Sequence, residues 1–335
     1  MRIAGIASIV TALTIAVSGQ WVKQTINTTA SFRGLSVVSE KVIWASGTGG
    51  TVIRTINKGK SWDVITVPGA EMLDFRDIEA FDAKTSYILS IGNGDSSRIY
   101  KTIDGGKSWQ LQFTNTNKNA FYDALACWDV NNCIAMSDPV RGRFLLRRTT
   151  DGGAYWSLIG TERMPAVSEG EAAFAASGTC LITKGRDSAF LVTGGNNARG
   201  FKSDDRGRNW AVYETPLVRG TPGSGIFSIA MLDDMNGIVV GGNYEKPNEN
   251  INNLAFTSDG GKTWVASSGL SGYRSGVTYV DKKTIVAVGT NGSDITRDGG
   301  KTWKQLDKGD YNSVQAKGKR AVWAVGPKGM VAKMK

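Results

Sequence analysis

From residue 20 onward the chain is a succession of short β-rich runs separated by glycine, asparagine and aspartate. Arg98-Ile99-Tyr100-Lys101 is one such run, and Trp109-Gln110-Leu111-Gln112-Phe113 is another. Alternation of apolar and polar residues with period two is what a strand with one buried face requires. No 3.6-residue periodicity appears outside the first twenty residues. The pattern therefore predicts an all-β chain of many short strands joined by tight turns.

The runs are punctuated by a recurring turn. Thr257-Ser258-Asp259-Gly260-Gly261-Lys262-Thr263-Trp264 is closely matched by Thr296 to Trp303 and by Thr102 to Trp109. Looser copies run from Thr55 to Trp62, Thr149 to Trp156 and Ser203 to Trp210. The shared pattern is [ST]-x-[DN]-x-G-x-x-W, and successive tryptophans lie 47, 47, 54, 54 and 39 residues apart. A period in this range marks a solenoid or a propeller. The hydroxyl and the carboxylate suit capping of backbone N–H groups in a tight turn, and the glycine suits a positive φ. Asn57, Asp104, Asp151, Asp205, Asp259 and Asp298 are accordingly read as turn-forming rather than catalytic or metal-binding, because one chain does not need six identical active sites.

This motif resembles the Asp-box, or bacterial neuraminidase repeat, of β-propellers. The wider unit, Phe32-Arg33-Gly34-Leu35, then Val42 to Gly47, then Gly50 to Thr55 and the turn, resembles a blade of the photosystem II stability/assembly factor type. That resemblance covers nearly the whole chain after residue 20. It implies a seven-bladed propeller of four-stranded blades that acts by binding.

Inner strands are expected to begin near Phe32, Phe75, Phe121, Gly170, Ile226, Ser275 and Asn312, giving seven blades. Only six carry their own repeat turn, and the seventh runs out at the C-terminal Lys335 after three strands. The missing strand is expected at the other end, at residues 21–25, whose pairing with the C-terminal strand closes the ring and removes an exposed edge. One propeller domain over residues 20–335 follows.

Residues 1–19 differ. Arg2 precedes an uncharged apolar run, residues 3–17, and Ala16-Val17-Ser18 fits a small-x-small cleavage site. This reads as a secretory signal peptide and places the protein in the periplasm or outside the cell. Export allows a disulfide. Cys127 and Cys133 flank a short turn, so either they are joined, or these two and Cys180 are three reduced core cysteines.

The chain has no histidine, which removes Ser-His-Asp, Cys-His and histidine-ligated metal chemistry. No strand–glycine loop–helix motif is present, so no cofactor is expected. The net charge of +10 favours acidic partners: an extended or acidic protein segment, or an anionic membrane surface. No Lys/Arg block interleaved with aromatics points to nucleic acid. A monomer is expected.

Blade topology puts the repeat turns on one face and the irregular loops on the other. Those loops include 138–143, 161–171 and 243–253, and they bring Asp138, Arg141, Tyr244 and Lys246 to the rim. At the inner-strand starts the blades align Arg33, Arg76, Tyr122, Glu171, Phe227, Ser275 and Asn312 at one level, with Asp77, Asp123 and Ser228 one residue deeper and Arg274 beside Ser275. Arginines, carboxylates and aromatics around one concave mouth are the default binding-site candidate. Arg33, Arg76, Arg141 and Arg274 are placed to hold carboxylates or backbone carbonyls.

A second reading is a sialidase-like glycoside hydrolase, because Asp-boxes occur there too. Phe32-Arg33 is similar to the start of the Phe-Arg-Ile-Pro signature of that family, with Gly34-Leu35 in place of Ile-Pro. On that reading Arg33, Arg76 and Arg274 form the carboxylate clamp, Glu171 pairs with Tyr122 or Tyr311, and Asp77 or Asp123 is the acid. The two readings separate on whether a tyrosine and a glutamate meet beside the arginines.

Overall fold

Seven four-stranded antiparallel blades stand around a central channel in a computed structural model that describes residues 20–335. The expected signal peptide lies outside the described residues. The inner strands are Phe32–Val37, Phe75–Ala80, Tyr122–Cys127, Leu181–Lys184, Ser224–Met231, Gly276–Tyr279 and Ser313–Ala316, which number blades 1 to 7. Apolar residues of facing blades interdigitate, so the core is a belt between sheets rather than one central mass. Trp44, Trp323, Phe32 and Phe75 are among its largest fully buried members.

The ring closes as the sequence predicts. Trp21–Lys23 is the outer strand of blade 7, with Trp21 opposite Met334, Val22 opposite Lys333 and Lys23 opposite Ala332. Trp21 also donates its indole N–H to Ser293 Oγ of blade 6 at 2.9 Å, so the closing strand is tied to two blades.

Neighbouring inner strands splay apart and cannot form a ladder. Side chains stitch them instead. Asp77 of blade 2 accepts the Leu125 N–H of blade 3 at 2.7 Å, Ser228 of blade 5 accepts the Val277 N–H of blade 6 at 3.1 Å, and Asn312 donates to the Phe32 carbonyl at 2.8 Å. These bonds satisfy backbone groups that would otherwise be buried unpaired.

Blade 4 departs from the expectation. Its inner strand begins at Leu181, not near Gly170. Glu171–Ala172 instead pairs with Gly194–Gly195 beside the sheet of blade 5. The run that can fill an inner-strand position is Leu181-Ile182-Thr183, whereas 173–179, small residues apart from Phe174, has no strand periodicity. That stretch crosses the channel.

All six repeat turns share one hydrogen-bond pattern. In the fifth, Thr257 Oγ1 donates to Asp259 at 2.9 Å and accepts the Gly261 N–H, while the Asp259 carboxylate accepts the N–H and hydroxyl of Thr263 at 2.9 and 2.7 Å. In the first, Asn57 takes the place of aspartate: its Oδ1 accepts from Thr55 Oγ1 and the Ser61 N–H, and its Nδ2 donates to Ser61 Oγ, the reverse of the hydroxyl-to-carboxylate bond. The aspartates are partly exposed, and the donors four positions on hold Asp104, Asp259 and Asp298 down to about 2. Each turn docks on the hairpin between the first two strands of its own blade, as where Gly105 N–H meets the Lys84 carbonyl at 2.9 Å, so both lie on one face. Asp259→Ala is expected to cost about 1 kcal/mol through lost capping, which lowers the melting temperature by about 2–4 °C. Ligand capture at the opposite face should be unchanged; normal stability with lost capture would reverse the assignment of the two faces.

Cys127 and Cys133 are register partners across their hairpin and are joined as a disulfide. Cys180 is a free, fully buried thiol.

Candidate functional site

A one-residue bulge sets what each inner strand presents to the channel mouth. Blades 1, 2 and 3 each interrupt their ladder after the first pair, at Arg33, Arg76 and Asp123, and blade 5 does so after its third, at Phe227. A bulge re-aims the side chain it contains. Tyr122 is therefore equivalent to Phe32 and Phe75, which are core positions, and Asp123 is the residue level with the two arginines. Tyr122 is buried between blades and its hydroxyl accepts a hydrogen bond from Arg147 at 3.1 Å.

Arg33 and Arg76 do meet. They line one concave site of about 330 Å³ together with Phe174, Phe227, Tyr244 and Tyr273. The floor is the segment that precedes the inner strand of blade 4. Arg33 Nη1 donates to the Ala176 carbonyl at 3.1 Å and Arg76 Nη1 to the Ala175 carbonyl at 3.3 Å. The same segment is fastened on other sides: Ala173 N–H to Asp138 at 2.9 Å, Ser313 Oγ to the Ser177 carbonyl at 3.3 Å, and Thr179 Oγ1 to Ser228 Oγ at 2.6 Å. Residues 173–179 thus touch blades 1, 2, 3, 5 and 7 and stopper the channel. Gly178 has φ +74°, and a Cβ there would lie 2.3 Å from the Asp77 carboxylate, so only glycine lets the stopper pass.

The stopper divides the channel. Above it, the mouth has a cationic half and an aromatic half. Arg76 Nε is paired with Asp74 at 2.8 Å, while Arg33 has no carboxylate partner among the described residues. Burial, and then the adjacent Arg76, lower the pKa of Arg33, which marks a cation short of solvation. Opposite, Phe174 stacks on Phe227 with centroids 3.8 Å apart, and Tyr273 meets Phe227 edge-on at 4.7 Å. Tyr244 stands over them half-exposed. Packed around the stopper are the buried Asp77 and Asp123 and the half-buried Asp138. Burial pushes Asp77 up to about 8 and Asp138 up to about 6, and it raises Asp123, next to Asp138, well above its ordinary value.

The remaining candidates lie elsewhere. Arg274 is wholly buried, paired with Asp294 at 2.7 Å and bonded to Asn291 and the Tyr273 carbonyl. Glu171 is buried against Arg199 at 2.6 Å and accepts from Thr193. Tyr311 donates to Asp307 at 2.6 Å. Glu171 therefore shares no hydrogen bond with Tyr122 or Tyr311, and Arg274 does not join Arg33 and Arg76. Asp138 holds the stopper rather than the mouth. Arg141 is exposed on its turn with φ +54°, and Lys246 pairs with Glu249 at 3.2 Å outside the mouth. Phe174 and Tyr273 were not among the sequence candidates. Period-two alternation could have found Tyr273, because it puts Tyr273 and Ser275 on the channel side and turns Arg274 away.

No protein-family model matches the chain, and no curated protein matches it either. Solved structures do. The chain is similar to YCF48 bound to a D1 peptide, at 16% identity over 93% of this chain and 96% of that one, with a TM-score of 0.68. It is similar to YCF48 from Cyanidioschyzon merolae at 16% identity, over 94% of this chain and 98% of that one, with a TM-score of 0.67. A GH74 enzyme from Niastella koreensis shares the architecture at 14% identity, over 93% of this chain but 53% of that one, with a TM-score of 0.63. What these likenesses establish together is the fold: a seven-bladed β-propeller.

Proposed function

We propose that the protein is an exported, non-catalytic scaffold that holds an extended, acidic protein segment in the mouth opposite the repeat turns. The observation that carries this reading is the convergence of Arg33 and Arg76 on one concavity whose far wall is aromatic. Each guanidinium spends its Nη1 on a floor carbonyl and Arg76 also its Nε on Asp74, so both keep N–H groups with no protein partner among the described residues, in side chains that line the cavity. A carboxylate or an extended backbone can use those donors, while apolar side chains lie on Phe227, Tyr244 and Tyr273. A structural neighbour seen with a peptide supports the class of ligand. Periplasmic or secreted location follows from the sequence of residues 1–19 and belongs to the same proposal.

The test is peptide capture by a panel of extended acidic peptides, read by fluorescence anisotropy. Arg33→Ala combined with Arg76→Ala should weaken binding on the order of 100-fold, because two charge-assisted hydrogen-bonding groups are lost. Binding should also weaken with rising salt. The counter-experiment is enzymatic: turnover of sialosides or other acidic glycosides, abolished by Glu171→Gln, would replace the scaffold with a glycosidase.

A further inference from the structure

The net charge of +10 is not spread evenly. On the repeat-turn face, where blade 7 meets blade 1, a groove of about 620 Å³ is lined by Lys58, Lys60, Lys319, Arg320, Lys333 and Lys335. Among the lining side chains one is acidic, Glu40, which is held by Arg320 at 2.6 Å and approached by Lys58 at 3.5 Å. Lys319 reaches out of the groove to Asp281 at 3.1 Å. Lys60 and Lys335 have no carboxylate within ion-pair distance among the described residues.

One of these cations is kept at a backbone cost. Lys58 has φ +67°, and the same turn position is Gly105, Gly152, Gly260 and Gly299 in four sister turns, all with positive φ. A non-glycine residue in this region is disfavoured by roughly 1–2 kcal/mol. Arg206, the other exception, is held by Asp187 and by the Arg186 carbonyl. Lys58 has only its long contact with Glu40, so its side chain projects to solvent. Just before it, Ile56 is 51% exposed at the tip of the same turn, and Ile103 is 68% exposed at the equivalent tip of blade 2.

We propose that this sector of the repeat-turn face docks on the phosphate headgroups of an anionic bilayer. Flexible lysines around a shallow groove, with bare isoleucines projecting beside them, suit a charged, soft-edged surface. A rigid acidic protein would call for pre-organised arginines, whereas five of the six cations lining the groove are lysines. The chain also enters the ring at this edge, where the Lys335 N–H bonds to the Gln20 carbonyl at 3.1 Å. The peptide-binding mouth is on the opposite face, so a docked disc presents it away from the bilayer.

The test is co-flotation of the chain from Gln20 onward, which contains the whole closed ring, with vesicles of phosphatidylcholine alone or mixed with phosphatidylglycerol. Retention is expected only on the mixed vesicles and is lost in high salt. Lys58→Gly with Lys60→Gln and Lys335→Gln should weaken it on the order of 100-fold, at about fivefold per cation near an anionic surface. Lys58→Gly also relieves the turn, so the melting temperature of the triple variant should not fall. Arg33→Ala with Arg76→Ala should leave flotation unchanged, which separates this surface from the mouth. Equal retention on neutral vesicles would overturn the proposal. So would a triple variant that floats like the parent, or tight binding of soluble polyglutamate without retention on mixed vesicles.

Discussion

Deleting residues 20–28 is expected to remove cooperative folding or to lower the melting temperature by roughly 10 °C or more. Three losses coincide. The first is the ladder of Trp21–Lys23 against Val331–Met334. The second is Trp21 itself, packed at 5.6 Å from the Tyr311 ring and bonded to Ser293. Truncating a fully buried tryptophan typically costs about 3–5 kcal/mol, and the half-buried Trp21 contributes part of that. The third is edge protection, since the ladder groups of Val331–Met334 would face solvent and a partner chain. The sum rivals the total stability of an ordinary domain, about 5–15 kcal/mol. Calorimetry of the truncated and parent chains checks this, with light scattering for association through the bared edge. A truncated chain that melts within about 2 °C of the parent would mean that closure contributes little.

A second large effect concerns pH. Stability is expected to peak at about pH 4–5 and to fall steadily from there to pH 8 and beyond. Burial pushes Asp77 up to about 8 and Asp138 up to about 6, while burial, helped by Asp77, raises Glu79 and burial, helped by Asp138, raises Asp123. In the unfolded chain the same groups release their protons near 3.8 or 4.5. A raised folded value means that the folded state holds protons the unfolded state has lost. Its stabilisation is complete below the unfolded value and is lost as pH rises through the folded one. Each group between its two values contributes a slope of about 1.4 kcal/mol per pH unit. On the acid side the sign is opposite. The repeat-turn aspartates, held down to about 2, contribute stability that is present above 3.8 and lost as pH falls. With no histidine in the chain, the window from pH 5 to 8 is free of the usual titration, so the slope there reports the channel carboxyls. Melting temperatures measured across that window should decline, and Asp77→Asn should flatten the stretch from pH 6 to 8. A flat or rising profile would show that these groups stay ionised in the folded protein.

The blades were legible because their signals are local. Thr257, Asp259, Gly261 and Trp264 lie within eight residues, and each contributes a bond or a conformation to the same turn. Closure was legible by counting, since six turns and seven inner strands leave one strand to be supplied by the N-terminus. Arg33 and Arg76 were legible as charges at inner-strand starts. The stopper was not, because Ala173 to Gly178 has no periodicity and Ala176 meets its partner Arg33 from 143 residues away. Tyr122 was placed one position off because Phe121 was taken as the counterpart of Phe32 and Phe75, whereas the first ladder pair of blade 3 is made by Tyr122 and the bulge residue level with Arg33 and Arg76 is Asp123. Arg274 carried a charge that invited a functional role, but Asp294 and Asn291 bury it completely.

The stopper has a consequence for direction. A ring of seven similar blades is close to rotationally degenerate, and a ligand laid across an open bore would have several nearly equivalent azimuths. Residues 173–179 break that degeneracy. Their carbonyls fix both guanidiniums on the side of blades 1 and 2, and Phe174 completes the aromatic stack on the side of blades 5 and 6. On the function proposed above, the mouth acts as a compass with one pole for carboxylates and one for apolar side chains, and a segment bound across it would run one way and not the other.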